Sequence, residues 1–244
     1  MPNANIEFAL PRRSLSRYIK ATPLHALLKF APWLVDKAYL YQPTERLLEY
    51  PFVHENIPFN GRGKILDVGS GSSTLPLELA SKGYDVWSID LVREYHRSIR
   101  QDNFTFVKGD IRKTNFPDAF FDIVTAVSTI EHTGFDNNET DSGGDKDAIR
   151  EIKRILNPGG KLLLTVPFGR EGIYFIKGRA QWRVYSLLSL KKLLEGFEIT
   201  KMEFALLEGG SWRPANLEEA ENIDSLSQPR WYSSKALVMV VAES

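Results

Sequence analysis

An α/β fold on a mostly parallel sheet is the class this sequence predicts, and three observations predict it. The stretch Lys64-Ile-Leu-Asp-Val-Gly-Ser-Gly-Ser-Ser73 reads as a short buried strand that runs into a glycine turn and then a helix. Two further apolar runs, Tyr84–Asp90 and Phe104–Asp110, each end on an acid. The chain has 244 residues, enough for one such domain with additions.

The first strand is justified by Ile65, Leu66 and Val68, apolar and partly β-branched as a buried parallel strand needs. Gly69 and Gly71 take backbone angles closed to other residues and carry no Cβ to hold a ligand off. Ser72, Ser73 or Thr74 suits the cap of the next helix, and Pro76 suits its first turn. Bare N–H groups at such a helix start favour an anionic or electron-rich group. Ser73 stands where a dinucleotide fingerprint would place its third glycine, so a nicotinamide dinucleotide is the weaker ligand. Asp90 lies about 20 residues beyond the turn, where an acid can take both ribose hydroxyls.

A fourth strand, Phe121–Ser128, leads into Thr129-Ile-Glu-His-Thr-Gly134. A helix over 146–156 carries a stripe of Ala148, Ile149, Ile152 and Ile155, with Asp145 placed to cap it. Lys161–Pro167 is a fifth strand. Ser186–Gly196 reads as an amphipathic helix with Leu187, Leu190, Leu193 and Leu194 on one side. Phe197–Phe204 and Lys235–Val241 read as two more strands, separated by a long polar insertion over 208–232 that holds Trp212, Arg213 and Trp231.

Taken together, residues 64–167 strongly resemble the class I S-adenosylmethionine-dependent methyltransferases. The resemblance is carried by Leu66–Ser72, Trp87–Asp90, Phe106–Asp110, Phe121–His132 and Glu151–Pro167, all in order. It implies a Rossmann-like three-layer αβα sandwich with a mostly parallel seven-stranded sheet and an antiparallel edge hairpin. S-adenosylmethionine would be the methyl donor. Asp67, Gly69, Ser70 and Gly71 would surround its methionine part and sulfonium, and Asp90 would bind the ribose diol. Asp110 and the backbone of Ile111 would hold the adenine amino group, and Ser128 would line the floor near the methyl group.

Composition narrows the function class. Hydrophobic residues make up 43% and charged residues 25% of the chain, ordinary values for a globular protein. Lys plus Arg and Asp plus Glu number 31 each, so no basic excess points to nucleic acid. The chain has no cysteine, which excludes disulfides, thiolate catalysis and cysteine zinc sites. No signal peptide and no apolar run of about 20 residues is present, so a cytoplasmic location is expected.

Residues 1–50 are expected to form a helical cap or lid, with 51–244 as the methyltransferase domain. Pro23 and Pro32 break an apolar, aromatic run into short helices, and Trp33, Tyr39 and Tyr41 are candidates for the acceptor pocket. A basic, aromatic surface of this kind also suits peripheral contact with a membrane or a lipid-linked acceptor.

Methyl transfer from a sulfonium needs the two partners positioned and, for a hydroxyl acceptor, a proton removed. His132 follows the fourth strand and titrates near neutrality, which suits a general base. Glu131 beside it can orient the ring, take the proton or bind the acceptor. Asp136, Glu139, Asp141 and Asp145 form an acidic loop that suits Mg2+ less well than it suits solvent. The segments Ser128–Gly134, Gly143–Ile149 and Thr165–Gly172 are similar to a methyltransferase subgroup associated with surface polysaccharide and glycan assembly. That resemblance implies O-methylation of a sugar hydroxyl in a glycan or glycolipid. Trp182, Trp212, Trp231 and Tyr185 suit stacking on a sugar ring or a place in the core, and Arg170, Arg179 and Arg183 suit pairing with a carboxylate or phosphate or a surface position. The alternatives are another small-molecule acceptor (a quinone, polyketide or lipid headgroup) or a non-catalytic cofactor-binding protein. The oligomeric state is not legible.

Overall fold

The computed structural model describes residues 44–244 except 59, 92–95, 97–98, 136–142, 177 and 227–233. The expected N-terminal cap, with Trp33, Tyr39 and Tyr41, lies outside the described residues up to residue 43, as do Asp136, Glu139, Asp141 and Trp231. The described chain begins with helix α1 (Arg46–Asn56) and alternates through β1 (Lys64–Val68), α2 (Leu75–Ser81), β2 (Asp85–Asp90), β3 (Phe104–Lys108) and β4 (Phe121–Val127). A 3-10 turn (Ile130–His132) precedes α3 (Gly144–Ile155) and β5 (Leu156–Pro167). A hairpin, β6 (Gly172–Ile176) and β7 (Arg179–Val184), leads to α4 (Leu187–Leu193) and β8 (Glu198–Glu208). Then come β9 (Ser211–Ala215), α5 (Leu217–Glu221) and β10 (Ala236–Glu243).

The main sheet runs in the order β3-β2-β1-β4-β5-β10-β8-β9. The pairings from β3 to β5 are all parallel, and β10 lies antiparallel between β5 and β8. This is the Rossmann-like α/β sheet, with eight strands rather than seven. The extra strand is β9, which turns back on β8 from within the segment expected to be an insertion. The β6–β7 hairpin is a separate two-stranded sheet.

Strand residues alternate between the two faces, and both faces are buried. Leu66, Val124, Leu162 and Leu164 pack on the side of α3, with Ile149, Ile152 and Ile155. Ile65, Ile123 and Leu163 pack on the other side, with Leu75 and Leu79 of α2 and Phe52 and Val53 of α1. The sheet is therefore the middle of three layers, which places the ends of β1, β2 and β4 together at one rim.

Several local details depart from the expected ones. Of the three residues expected to cap α2, Ser73 accepts the Leu75 N–H through Oγ, whereas Thr74, at the helix start, donates its hydroxyl to Glu78. Asp145 is not a cap. Gly143, in left-handed backbone, precedes α3, and Asp145 sits buried in the first turn. Its carboxylate accepts from the Tyr185 hydroxyl at 3.0 Å and faces Arg183 Nε at 3.5 Å. The α4 start is a capping box made by Ser186 and Ser189. No helix among the described residues is long and apolar enough to cross a membrane.

Candidate active site

The glycine turn after β1 is shaped by backbone demands. Gly69 has φ +68° and Gly71 φ +50°, the left-handed region that favours glycine. A Cβ on Gly69 would collide with the side chain of Thr129. Asp90, at the end of β2, accepts the Gly71 N–H through Oδ2 at 3.0 Å and so ties the turn to the neighbouring strand.

Two adjoining cavities open on this rim. One, of about 180 Å³, is lined by Gly69, Ile89, Asp90, Leu91, Gly109, Asp110, Ile111 and Arg112 and by Thr129, His132, Thr133 and Gly134. The other, of about 640 Å³, is lined by Arg46 and Tyr50 of α1, the turn Gly69–Ser73, Asp90, Ser128, Thr129 and His132. They share Gly69, Asp90, Thr129 and His132, and so form two arms of one cleft. Of the residues singled out from the sequence, Gly69, Ser70, Gly71, Asp90, Asp110, Ile111, Ser128 and His132 all line it. Asp67 and Glu131 do not; both lie beneath it.

Asp67 is 2% exposed and accepts the Thr125 hydroxyl at 2.6 Å. Burial pushes its carboxyl up to about 7, and the Thr125 bond opposes this without prevailing. Asp110 behaves in the opposite way. Partial burial raises its pKa, but the side chain and backbone N–H of Arg112 outweigh that and hold it below its usual value.

Ser128 has φ +44°, an uncommon angle for a residue with a side chain. Its N–H donates to Thr165 Oγ1 at 3.0 Å, and its hydroxyl donates to Glu49 at 2.6 Å. Glu49 is fully buried and also accepts from Thr165 Oγ1 at 2.6 Å and Arg46 Nη1 at 2.7 Å. Burial raises its pKa although all three donors oppose the rise. One turn of α1 therefore grips the carboxyl ends of β4 and β5. Sequence reasoning missed Glu49, Arg46 and Tyr50; the only signal was an acid three residues after an arginine, which reads as a surface pair.

His132 Nδ1 lies 2.6 Å from the backbone carbonyl of Gln181 on β7. A carbonyl only accepts, so Nδ1 carries the proton and the neutral ring keeps its lone pair on Nε2. Surrounding protein holds the His132 pKa below the ordinary imidazole value, although 48% of the side chain stays exposed. Glu131 is fully buried with no hydrogen-bond partner for either carboxylate oxygen, and its Oε1 is 3.8 Å from His132 Nε2. Burial raises its pKa well above the usual carboxylate range, which favours the neutral acid.

The predicted acceptor-binding arginines and aromatics have other contacts. Arg183 is buried; it donates to the Thr133 carbonyl at 2.6 Å and lies over the Phe135 ring. Trp182 stacks on Tyr174 at 4.1 Å and meets the His132 ring edge-on at 6.4 Å. Trp212 sits on β9 and Tyr185 on Asp145. Arg170 and Arg179 are exposed. Among the described residues no group of three or more His, Asp or Glu is placed to hold a metal ion.

The turn, the two-armed cleft and the buried, unpartnered Ser70 hydroxyl on its wall fit a nucleoside carrying an amino-acid tail. Comparison with known proteins agrees. Residues 66–164 match the family model described as a methyltransferase domain. The chain is 30% identical over 109 residues to the human eEF1A lysine and N-terminal methyltransferase, covering 42% of this chain and 16% of that protein. It is 32% identical over 106 residues to the demethylmenaquinone methyltransferase of Beutenbergia cavernae, covering 42% of this chain and 40% of the relative. The chain thus spans well under two thirds of these curated relatives. In fold it is similar to the Burkholderia thailandensis 1,6-didemethyltoxoflavin-N1-methyltransferase, solved with S-adenosylhomocysteine bound. The TM-score is 0.58 at 15% identity, over 96% of this chain and 92% of that one. By sequence block, sheet order and glycine turn together, residues 66–164 form a methyltransferase domain of the class I, S-adenosylmethionine-dependent kind.

Proposed function

We infer that this chain methylates a hydroxyl group, with S-adenosylmethionine as donor and His132 as general base. The observation that carries the reading is the His132–Gln181 contact, which reserves Nε2 for accepting a proton. A hydroxyl nucleophile must lose its proton during transfer, whereas the sulfonium supplies an already activated methyl group. Asp90 binds the ribose diol. The Ile111 backbone and Asp110 face the adenine, Asp110 exchanging one of its Arg112 bonds for the amino group. Gly69, Ser70 and Gly71 bring backbone and one hydroxyl to the methionine part, with Asp67 beneath them, and Ser128 lines the floor at the reacting end. Glu131, held toward the neutral acid by burial, has its Oε1 3.8 Å from the same Nε2 and helps to orient the ring.

The acceptor class is a sugar hydroxyl of a glycan or glycolipid. The stacked Tyr174–Trp182 pair beside His132 supports it, because an aromatic surface next to the base suits the apolar face of a sugar ring. The similarity to a demethylmenaquinone methyltransferase favours a second reading, a small-molecule acceptor such as a quinone or polyketide. The test is incubation with methyl-labelled S-adenosylmethionine and fractionated extract of the source organism. Label in glycan or lipid-linked saccharide is the expected result. Label in quinones or other small metabolites favours the second reading, and label in protein or RNA rejects both.

A further inference from the structure

The β6–β7 hairpin differs along its length. Nearer its base, Tyr174 stacks on Trp182, and the Gln181 carbonyl holds the His132 ring. At its tip, Phe175 pairs with Ala180 and Ile176 with Arg179. Phe175 is 45% exposed and Ile176 42%. Neighbouring side chains on a strand point to opposite faces, so both sides of the tip stand open to solvent. Arg179 comes two residues before Gln181, about 7 Å along the strand, so the tip lies close to the His132 contact. Across a groove of about 600 Å³ stands α4, with Ile173 on the hairpin side and Ser189 and Lys192 on the helix side. Leu188 of α4 is 78% exposed, and Lys191 and Lys192, three and four residues on, share its helix face. Three of the five exposed large apolar side chains among the described residues therefore fall in 172–193. The same stretch carries five Lys or Arg and no Asp or Glu, in a chain whose opposite charges balance. Arg183 is buried, but Arg179, Lys191 and Lys192 are exposed, and no acid among the described residues pairs with them. A single exposed apolar side chain is ordinary; three on adjoining elements, set among unpaired cations, are not.

We propose that the tip of β6–β7 and the exposed face of α4 form a docking surface for an anionic lipid bilayer. The apolar side chains enter the headgroup layer, and the three cations meet lipid phosphates at its surface. Unpaired cations favour an anionic partner, and the shape favours a bilayer. The exposed apolar groups stand at a hairpin end and on the outside of a helix, where they can enter a soft surface, rather than inside the groove between them. The proposal names the partner of the glycolipid reading given above and rests on that reading for its acceptor. An acceptor anchored in the bilayer presents its saccharide beside the tip, a few residues' length from His132.

The test is flotation of the full chain with vesicles, without methyl donor or acceptor. Vesicles of equal parts phosphatidylcholine and phosphatidylglycerol should carry the wild-type chain, and vesicles of phosphatidylcholine alone should carry much less. Phe175→Ser combined with Ile176→Ser should weaken binding to the mixed vesicles about ten- to a hundredfold. Arg179→Gln should weaken it about fivefold, and Lys191→Gln combined with Lys192→Gln about twentyfold; added salt should act in the same direction. Phe175→Trp should keep binding, because the membrane interface favours an indole. An unchanged urea midpoint shows that each variant is folded. No flotation of the wild-type chain, or flotation that the Phe175 and Ile176 substitutions leave intact, overturns the proposal. So does a wild-type chain that self-associates through these two residues in place of floating. Because no methyl transfer is measured, failure here leaves the glycolipid reading standing, whereas label in a soluble acceptor removes that reading and leaves the flotation result untouched.

Discussion

Asp67 offers the sharpest test of how this rim is built. Its carboxyl stands at about 7 in the folded chain against an ordinary 3.8, because it is buried beneath the glycine turn with the Thr125 hydroxyl as its hydrogen-bonding side chain. A folded-state pKa above the unfolded one means that the folded protein holds the proton to higher pH. Stability is therefore greatest below the unfolded pKa and falls as pH rises through the folded pKa. The gap is about 3 units, and at about 1.4 kcal/mol per unit the full loss is about 4 kcal/mol. Between pH 5 and pH 8 the expected share is about 2.5 kcal/mol. The perturbation is Asp67→Asn, which keeps an oxygen for the Thr125 hydroxyl and removes the titration. Both chains would be unfolded in urea at several pH values without ligand, and the stability of the variant subtracted from that of the wild type. Subtraction removes the contributions of Glu49 and Glu131, whose raised pKa values act with the same sign. The difference should fall steadily from pH 5 and level off above pH 7. A difference that stays flat across this range refutes the account of Asp67 as a buried, proton-holding acid.

Three further outcomes are expected. His132→Ala should lower single-turnover methyl transfer about a hundredfold to ten-thousandfold, and wild-type turnover should fall with acid through a midpoint below the usual imidazole value of 6.5; near-wild-type turnover in the variant removes the base. Gly69→Ala should cost about 3 kcal/mol in urea unfolding, because it combines a left-handed backbone with a collision at Thr129, and should abolish S-adenosylhomocysteine binding. Glu49→Ala should destabilise by about 3 kcal/mol, since the Ser128 and Thr165 hydroxyls lose their shared acceptor, while Glu49→Gln should recover much of that loss.

The parallel half of the fold was readable because its signals are local. Each of the first strands is a short apolar run that stops on a turn, and two acids of the proposed donor site, Asp67 and Asp90, sit within or at the end of those runs. The eighth strand was not readable. Ser211–Ala215 is short, alternates with polar residues and contains Pro214, a composition that an edge strand tolerates but a loop shares. Glu49 was hidden for another reason. Its partners Ser128 and Thr165 lie 79 and 116 residues away, and only the assembled sheet brings them beneath one helix. Asp145 was misread because a side chain next to a helix start suggests a cap, whereas its real partners, Tyr185 and Arg183, come from β7 and the residue that follows it.

The contact between His132 and the main-chain oxygen of Gln181 carries a consequence for how such a chain changes its acceptor. Every residue has a carbonyl, so the choice of side chain at position 181 does not govern the imidazole's tautomer. The hairpin can exchange the groups it shows to an incoming molecule while the ring stays aimed. With His132 as the proposed base, recognition and proton handling are thus separable by substitution even though they occupy the same few ångströms.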